Sequence, residues 1–195
     1  MAYLSNDDLK ALGLKALGKN VLLSDKASIY TPEMISIGDH SRIDDFCVLA
    51  GSVSIGRNVH VTVFCNLAGG RAGIELRDFS TLAYGCHLVA QTDDYSGRTM
   101  TNSTIPSEFK DETADRVDIG RYAILGTGTT VLPGVTIGEG VSAGAGTIFT
   151  RSVDAWGIYV GAPARRVKER SRDLLALADQ YLCSDTDGEG PEMAS

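Results

Sequence analysis

Only three residues of this 195-residue chain, His40, His60 and His87, carry a side chain that ordinarily exchanges its proton near neutral pH. An imidazole can serve as a general base. A zinc site with an open fourth position would need all three on one ion. Their spacings of 20 and 27 contain no close pair, and no metal is expected. Two adjacent carboxylates, Asp93 and Asp94, stand in AQTDDYSG, followed by Tyr95 and Ser96. These residues offer hydrogen-bond acceptors, a hydroxyl and a ring face to a polar ligand, and they suit a solvated turn equally well. Near the other end, Arg165 and Lys168 are cations of the kind that meet phosphate oxygens, with Arg151 and Arg166 as possible additions.

The chain as a whole limits what such groups can do. Its formal charge of −7 argues against a nucleic-acid surface, which needs clustered Lys and Arg around phosphates. Asp185, Asp187, Glu189 and Glu192 lie in a tail, residues 184–195, that has no Lys or Arg and reads as disordered. No apolar run approaches the ~20 residues that span a bilayer, and MAYLSNDDLK does not begin like a secretory signal. A cytoplasmic protein without an integral membrane segment is expected. Cys47, Cys65, Cys86 and Cys183 form no CxxC pair and read as reduced thiols.

The elements that position these groups follow from a count of six. Aliphatic residues fall at Ile37, Ile43, Leu49, Ile55, Val61 and Leu67, then at Leu76, Leu82 and Leu88 after a slip through GGRAG. After the break they resume at Ile119 and continue through Leu125, Val131, Ile137, Ala143 and Phe149. Four residues after most of them lies a small or β-branched residue, among them Ser41, Cys47, Cys65, Cys86, Thr92, Thr129 and Thr147. Each six-residue unit therefore reads as a short strand plus a corner, and Gly after the aliphatic residue, as in IGDHSR and IGEGVS, is read as freedom for the turn. Strands so short must stack, three faces to a coil, into a parallel β-helix. Residues 1–20 supply a helical cap in which Ser5 with Asp8 opens a short helix, and residues 21–160 form the β-helix, interrupted by an excursion loop over 93–117. Residues 161–183 form a C-terminal segment whose apolar residues Leu174, Leu175, Ala178 and Leu182 read as an amphipathic helix over 167–182.

The repeat [LIV]-G-x-x-[small]-x resembles the hexapeptide-repeat acyltransferases, whose left-handed β-helices assemble as trimers. IGRNVHVTVFCNLAG, the run from IGRYAI to FTRSV and the exit YVGAPARRVKE are similar in order and spacing to the galactoside and maltose acetyltransferase branch. The resemblance covers roughly residues 21–170. It implies a homotrimer that transfers an acetyl group from acetyl-CoA to a sugar hydroxyl or amino group, directly in a ternary complex at a subunit interface. It places acetyl-CoA along a slot at Ala83, Gly126, Thr127, Gly144, Ala145 and Thr150, where small side chains leave backbone amides accessible, and sets Arg165 and Lys168 near its phosphates.

The branch carries its catalytic histidine where the loop begins, and this chain has Asp93 there; it has Thr62 where the branch often has an acceptor-holding Asn. An ordinary Asp, with a pKa of roughly 4, is a weak base at neutral pH. His60, two residues before Thr62, is the leading candidate base, with Asp93 orienting it or holding the acceptor, across subunits if need be. His87 is the second candidate, and His40 reads as a corner residue. Thr62, Asp94, Tyr95 and Ser96 are the acceptor-binding candidates. An amino sugar needs less of a base, because an amine near pKa 8 keeps a neutral fraction at pH 7, so the substitution tilts the reading slightly toward N-acetylation, of a nucleotide-linked or polysaccharide sugar. A non-catalytic β-helix scaffold is the alternative.

Overall fold

The computed structural model describes residues 2–186. Its backbone is a parallel β-solenoid of about seven turns, consistent with the left-handed β-helix class. Three parallel ladders form its faces. One stacks Leu22–Leu23, Arg42–Ile43, His60–Val61, Thr81–Leu82, Ile124–Leu125, Ser142–Ala143 and Gly157–Val160. The second runs through Ser28–Tyr30, His87–Val89, Thr130–Val131 and Ile148–Phe149, and the third through Ile35–Ile37, Val117–Ile119 and Thr136–Ile137. The strands Val48–Ile55 and Asn66–Leu76 turn a corner and serve both of these faces.

The aliphatic count is the interior. Leu23, Ile43, Val61, Leu82 and Leu125 lie in register on one face and Leu49, Leu67, Leu88, Val131 and Phe149 on another, all fully buried. The small positions Cys47, Cys65, Cys86, Thr129 and Thr147 join them inside. Thr92 does not: it leaves the coil in Gln91–Thr92, which pairs antiparallel with Thr113–Ala114. The excursion is therefore a hairpin-based loop, and the coil resumes where Val117 pairs with Ile74.

The glycines act differently from the turn reading. The left-handed residue of each corner is the third after the aliphatic one: His40, Phe46, Asn58, Phe64, Phe79, Tyr122 and Trp156 carry φ between 52° and 63°, with Gly85, Gly128 and Gly140 at equivalent places. Two pairs of these strained aromatics stack, Phe46 on Phe64 with ring centroids 5.2 Å apart and Phe79 on Tyr122 at 5.3 Å, which offsets part of the cost of the αL backbone. The Gly directly after the aliphatic residue has no positive φ. A Cβ on Gly38 would stand 2.6 Å from the Gly56 carbonyl carbon, and one on Gly138 2.4 Å from the Ala155 nitrogen, so these residues are small because the next coil's backbone lies against them.

The ends close the prism. Asn6–Ala11 is the N-terminal helix, with Ser5 Oγ accepting the Asp8 N–H at 3.2 Å and Leu9 buried on the first coil. At the other end the helix begins later than expected, at Leu174–Thr186, because Arg165–Glu169 is an antiparallel strand on Gly157–Val160. The helix packs back on the solenoid through Tyr181 OH, which accepts from Asn58 Nδ2 at 2.9 Å, and in the segment leading to it Arg170 Nη1 donates to the carbonyls of Tyr122 at 2.8 Å and Gly140 at 3.1 Å. It covers residues 184–186 of the expected acidic tail, and 187–195 lie outside the described residues. Among the described residues no helix is long and apolar enough to cross a membrane.

Candidate active site

One row of residues on the outside of the solenoid gathers several of the candidates. The ladder that aligns Ile43, Val61, Leu82, Leu125 and Ala143 aligns the residues that follow them, Asp44, Thr62, Ala83, Gly126 and Gly144. Ala83, Gly126 and Gly144 thus form a stripe nearly free of side chains that ends at Thr62 and Asp44. Their own N–H groups are not free for a ligand: each donates to the next coil, Ala83 to Leu125 O at 2.8 Å, Gly126 to Ala143 O at 2.9 Å and Gly144 to Tyr159 O at 2.8 Å. The N–H groups one residue further out, of exposed Thr127 and Ala145, have no backbone acceptor among the described residues. From inside, the Cys65 thiol donates to the Ala83 carbonyl at 3.2 Å, and Thr129 and Thr147 hydroxyls donate to the Gly126 and Gly144 carbonyls at 2.6 and 2.7 Å. The inward polar residues pin the wall of the stripe.

The buried cysteines are part of that support. Cys47, Cys65 and Cys86 are free thiols stacked in one internal column, and the bond to Cys65 together with burial pushes the Cys47 and Cys86 thiols up. Cys47 donates to the Thr62 carbonyl at 3.0 Å. The Thr62 side chain is itself buried, at 9% exposure.

At the end of the stripe His60 faces outward, half-buried, and its Nε2 lies 2.9 Å from Asp44 Oδ2. Asp44 is 3% exposed; its other oxygen accepts from Arg42 Nε at 2.7 Å and from the Tyr3 hydroxyl at 3.4 Å. The hydrogen bond to Asp44 raises the Arg42 guanidinium, while burial pushes the Tyr3 phenol up. The sequence reading missed Asp44, Arg42 and Tyr3. A signal was present in the repeat: Arg42 and Asp44 precede His60 and Thr62 by one coil of 18 residues.

The structure does not join His60 to Asp93 within one chain. Asp93 sits on the loop, half-buried, where its Oδ1 accepts the Asn102 N–H at 3.2 Å. It is shared by two cavities: one of about 590 Å³ inside the loop, with Tyr95, Met100 and Asn102, and one of about 360 Å³ between loop and coil, floored by Ala50, Gly51, Ala68 and Gly70. Asp94 ties the loop together: its carboxylate accepts from Ser96 N at 2.8 Å, Ser96 Oγ at 2.9 Å, and Thr99 N and Oγ1 at 3.2 Å. These bonds, the Ser96 hydroxyl first, hold its carboxyl down at about 2. Tyr95 is 91% exposed. His87 is exposed on the second face, in register with Asn66 and Thr130, and His40 occupies a left-handed corner, so the three histidines lie apart.

The cations lie on the terminal strand and not on a helix. Arg166 pairs with Glu169 at 2.6 Å, whereas Arg165 and Lys168 are exposed and meet no carboxylate among the described residues. Thr150 is exposed just after the buried Phe149.

A parallel solenoid with an outer stripe cleared of side chains, exposed cations at one end and an imidazole–carboxylate pair at the other defines a hexapeptide-repeat protein. No protein-family model matches the chain. It is 37% identical over 184 residues to a dTDP-4-amino-4,6-dideoxy-D-glucose acyltransferase of Escherichia coli, covering 93% of this chain and 95% of that one. Its fold superposes with a TM-score of 0.93, at 41% identity and over 94% of this chain and 98% of the other, on AntD, an N-acyltransferase from Bacillus cereus in complex with dTDP and 3-hydroxybutyryl-CoA. A variant of AntD in complex with dTDP-4-amino-4,6-dideoxyglucose and coenzyme A matches equally well. A hexapeptide transferase family protein from Anaplasma phagocytophilum, 16% identical with a TM-score of 0.58 over 88% of this chain and 96% of that one, shares the fold. The chain belongs to the hexapeptide-repeat acyltransferases and is an enzyme, which removes the scaffold alternative.

Proposed function

We propose that the protein transfers an acyl group from an acyl-CoA to the amino group of a nucleotide-linked amino sugar, with dTDP-4-amino-4,6-dideoxyglucose the first acceptor to test. The observation that carries this reading is the stripe Gly144–Gly126–Ala83 leading to His60, in a chain that follows the E. coli acyltransferase and AntD along nearly its whole length. An extended pantetheine arm fits a wall without side chains, with the Thr127 and Ala145 N–H groups as donors and Arg165 and Lys168 beside the phosphates. The acyl group then comes to rest near Thr62.

In the reaction the neutral amine attacks the thioester carbonyl. The tetrahedral intermediate expels the CoA thiolate, and the amine's surplus proton passes to His60 and on to the thiolate. With Asp44 on the imidazole, the orienting role is filled inside the protomer, and Asp93 takes the other role considered for it: holding the acceptor's amine. The loop of one copy would bring Asp93 to the stripe of the next, in a homotrimer. His87, on a different face, is the second choice of base, and Asp94, Tyr95 and Ser96 shape the acceptor loop. A cytoplasmic location fits a protein that draws on acyl-CoA.

The test is thiol release from acetyl-CoA and longer acyl-CoAs in the presence of dTDP-amino sugars and, in parallel, simple glycosides. Acylation of the amino sugars alone is expected. Turnover of glycoside hydroxyls with no reaction at any nucleotide-linked amine would overturn the reading. His60→Ala and Asp93→Asn should each lower turnover sharply and leave CoA binding and assembly intact.

A further inference from the structure

We infer that Asp44 is a positioning residue for acyl transfer: it fixes the His60 imidazole as the tautomer protonated on Nε2, so that Nδ1 is the atom that receives the acceptor's proton. This rests on the function proposed above and assigns it a residue outside the loop and the slot.

Asp44 is 3% exposed, and a carboxylate so enclosed stays ionised only where a cation and donors meet it. Arg42 Nε, at 2.7 Å, is that cation. An ionised carboxylate only accepts hydrogen bonds, so the group facing Oδ2 at 2.9 Å must donate, and His60 Nε2 therefore carries the hydrogen. In the neutral ring that leaves the lone pair on Nδ1, which has no partner among the described residues on a side chain that is 38% exposed. Arg42 also shapes the chemistry. Because its guanidinium already meets the carboxylate, Asp44 orients the imidazole with a charge that is largely compensated. Tyr3 closes the cluster: its hydroxyl reaches Asp44 at 3.4 Å, and its ring lies under the Arg42 guanidinium, 5.6 Å from the centroid.

Position separates this cluster from an ordinary surface pair. In the row of residues that follow the buried aliphatics, Ala83, Gly126 and Gly144 carry little or no side chain, and Asp44 is the charged residue one coil beyond Thr62. Asp44 could satisfy its charge through Arg42 alone, so the bond to His60 is needed for the ring and not for the carboxylate.

Two measurements test this on the full-length protein. The first is nitrogen NMR of the histidine-labelled enzyme at a pH where the ring is neutral; with only three histidines, His60→Ala assigns the signal. The Nε2–H tautomer is expected, and an Nδ1–H tautomer overturns the proposal whether or not any variant folds. The second is kinetic, with acetyl-CoA and the amino-sugar nucleotide turned over by the wild type. Asp44→Asn should lower kcat by about 10- to 100-fold while the KM for acyl-CoA stays put. Placed on His60→Ala it should add nothing, because Asp44 acts through that ring. Unchanged kcat in Asp44→Asn, or losses that multiply in the double variant, would refute it. A wild type inert toward every nucleotide-linked amine would instead count against the proposed reaction, and the tautomer would still report on Asp44.

Discussion

Replacing Gly126 with alanine separates two explanations of the glycines in this repeat. If glycine follows the aliphatic residue to free the turn, Gly126→Ala is mild, since Gly126 has no positive φ. The packing predicts otherwise. The new Cβ would stand 2.6 Å from Ala143 O, 2.8 Å from Ala145 N and 2.9 Å from Gly144 C, all backbone atoms with no rotamer to yield. Ordinary contact requires the two coils to part by roughly 0.7 Å or more. That shift takes the Gly126 N–H bond to Ala143 O, now 2.9 Å, out of hydrogen-bonding range. One lost ladder bond at about 1 kcal/mol plus overpacking at about 1–3 kcal/mol gives a destabilisation of about 2–4 kcal/mol. For a chain of this size that lowers Tm by about 4–16 °C. Gly128→Ala is the control: its φ is 70° and nothing lies within 4 Å of its Cβ, so only αL strain of about 1–2 kcal/mol remains. Thermal unfolding of both variants decides. A Gly126→Ala protein as stable as the wild type, or less damaged than Gly128→Ala, refutes the packing account.

Other expectations can be checked independently. Replacing Arg165 and Lys168 together with alanine should weaken acyl-CoA binding about tenfold at low salt, with the deficit shrinking as salt rises and Tm unchanged; titration calorimetry at two ionic strengths reads this. Asp94 has a folded pKa of about 2, below the ordinary carboxylate value, so its tie to Ser96 and Thr99 is complete above that ordinary value and lost as pH falls through about 2. Hydrogen exchange should find the Ser96 and Thr99 amides protected in the wild type down to roughly pH 3 and unprotected in Asp94→Ala at every pH. Arg170→Ala strips the charged donor from the carbonyls of Tyr122 and Gly140 and should destabilise by about 1–3 kcal/mol, with early proteolysis of the C-terminal helix as the local readout.

What could be read in advance and what could not divides along the solenoid's wall. Inward positions such as Ile43, Val61 and Leu82 must be aliphatic at every turn, because each packs on the same place in the next coil, so their spacing alone was enough to give the fold. The excursion was legible for the converse reason: Leu88 and Ile119 are 31 apart where the count needs six. Arg165–Glu169 was not, because a strand held only by its backbone ladder to Gly157–Val160 needs no apolar alternation, and all five of its residues are exposed. The glycines were found but misexplained, since a close approach between coils and a turn both select a residue without Cβ.

The same distinction explains why His60 was picked out and its partner missed. A histidine next to a buried valine must point outward, which a hexapeptide count can establish. The group bonded to it belongs to another coil, and in a solenoid that neighbour lies about 18 residues away, shifted by the diagonal; Asp44 is 16 residues before His60. A search by nearness in sequence passes over such a pair, and a search by register brings it forward at once, along with Arg42 and Thr62. Since the interior is satisfied by the inward ladder, outward residues at coil spacing are free to change type without disturbing the fold. Outward groups on this scaffold therefore line up in axial rows, and the row that runs from Gly144 to Asp44 sets a stripe nearly free of side chains beside the one buried carboxylate that meets a histidine among the described residues.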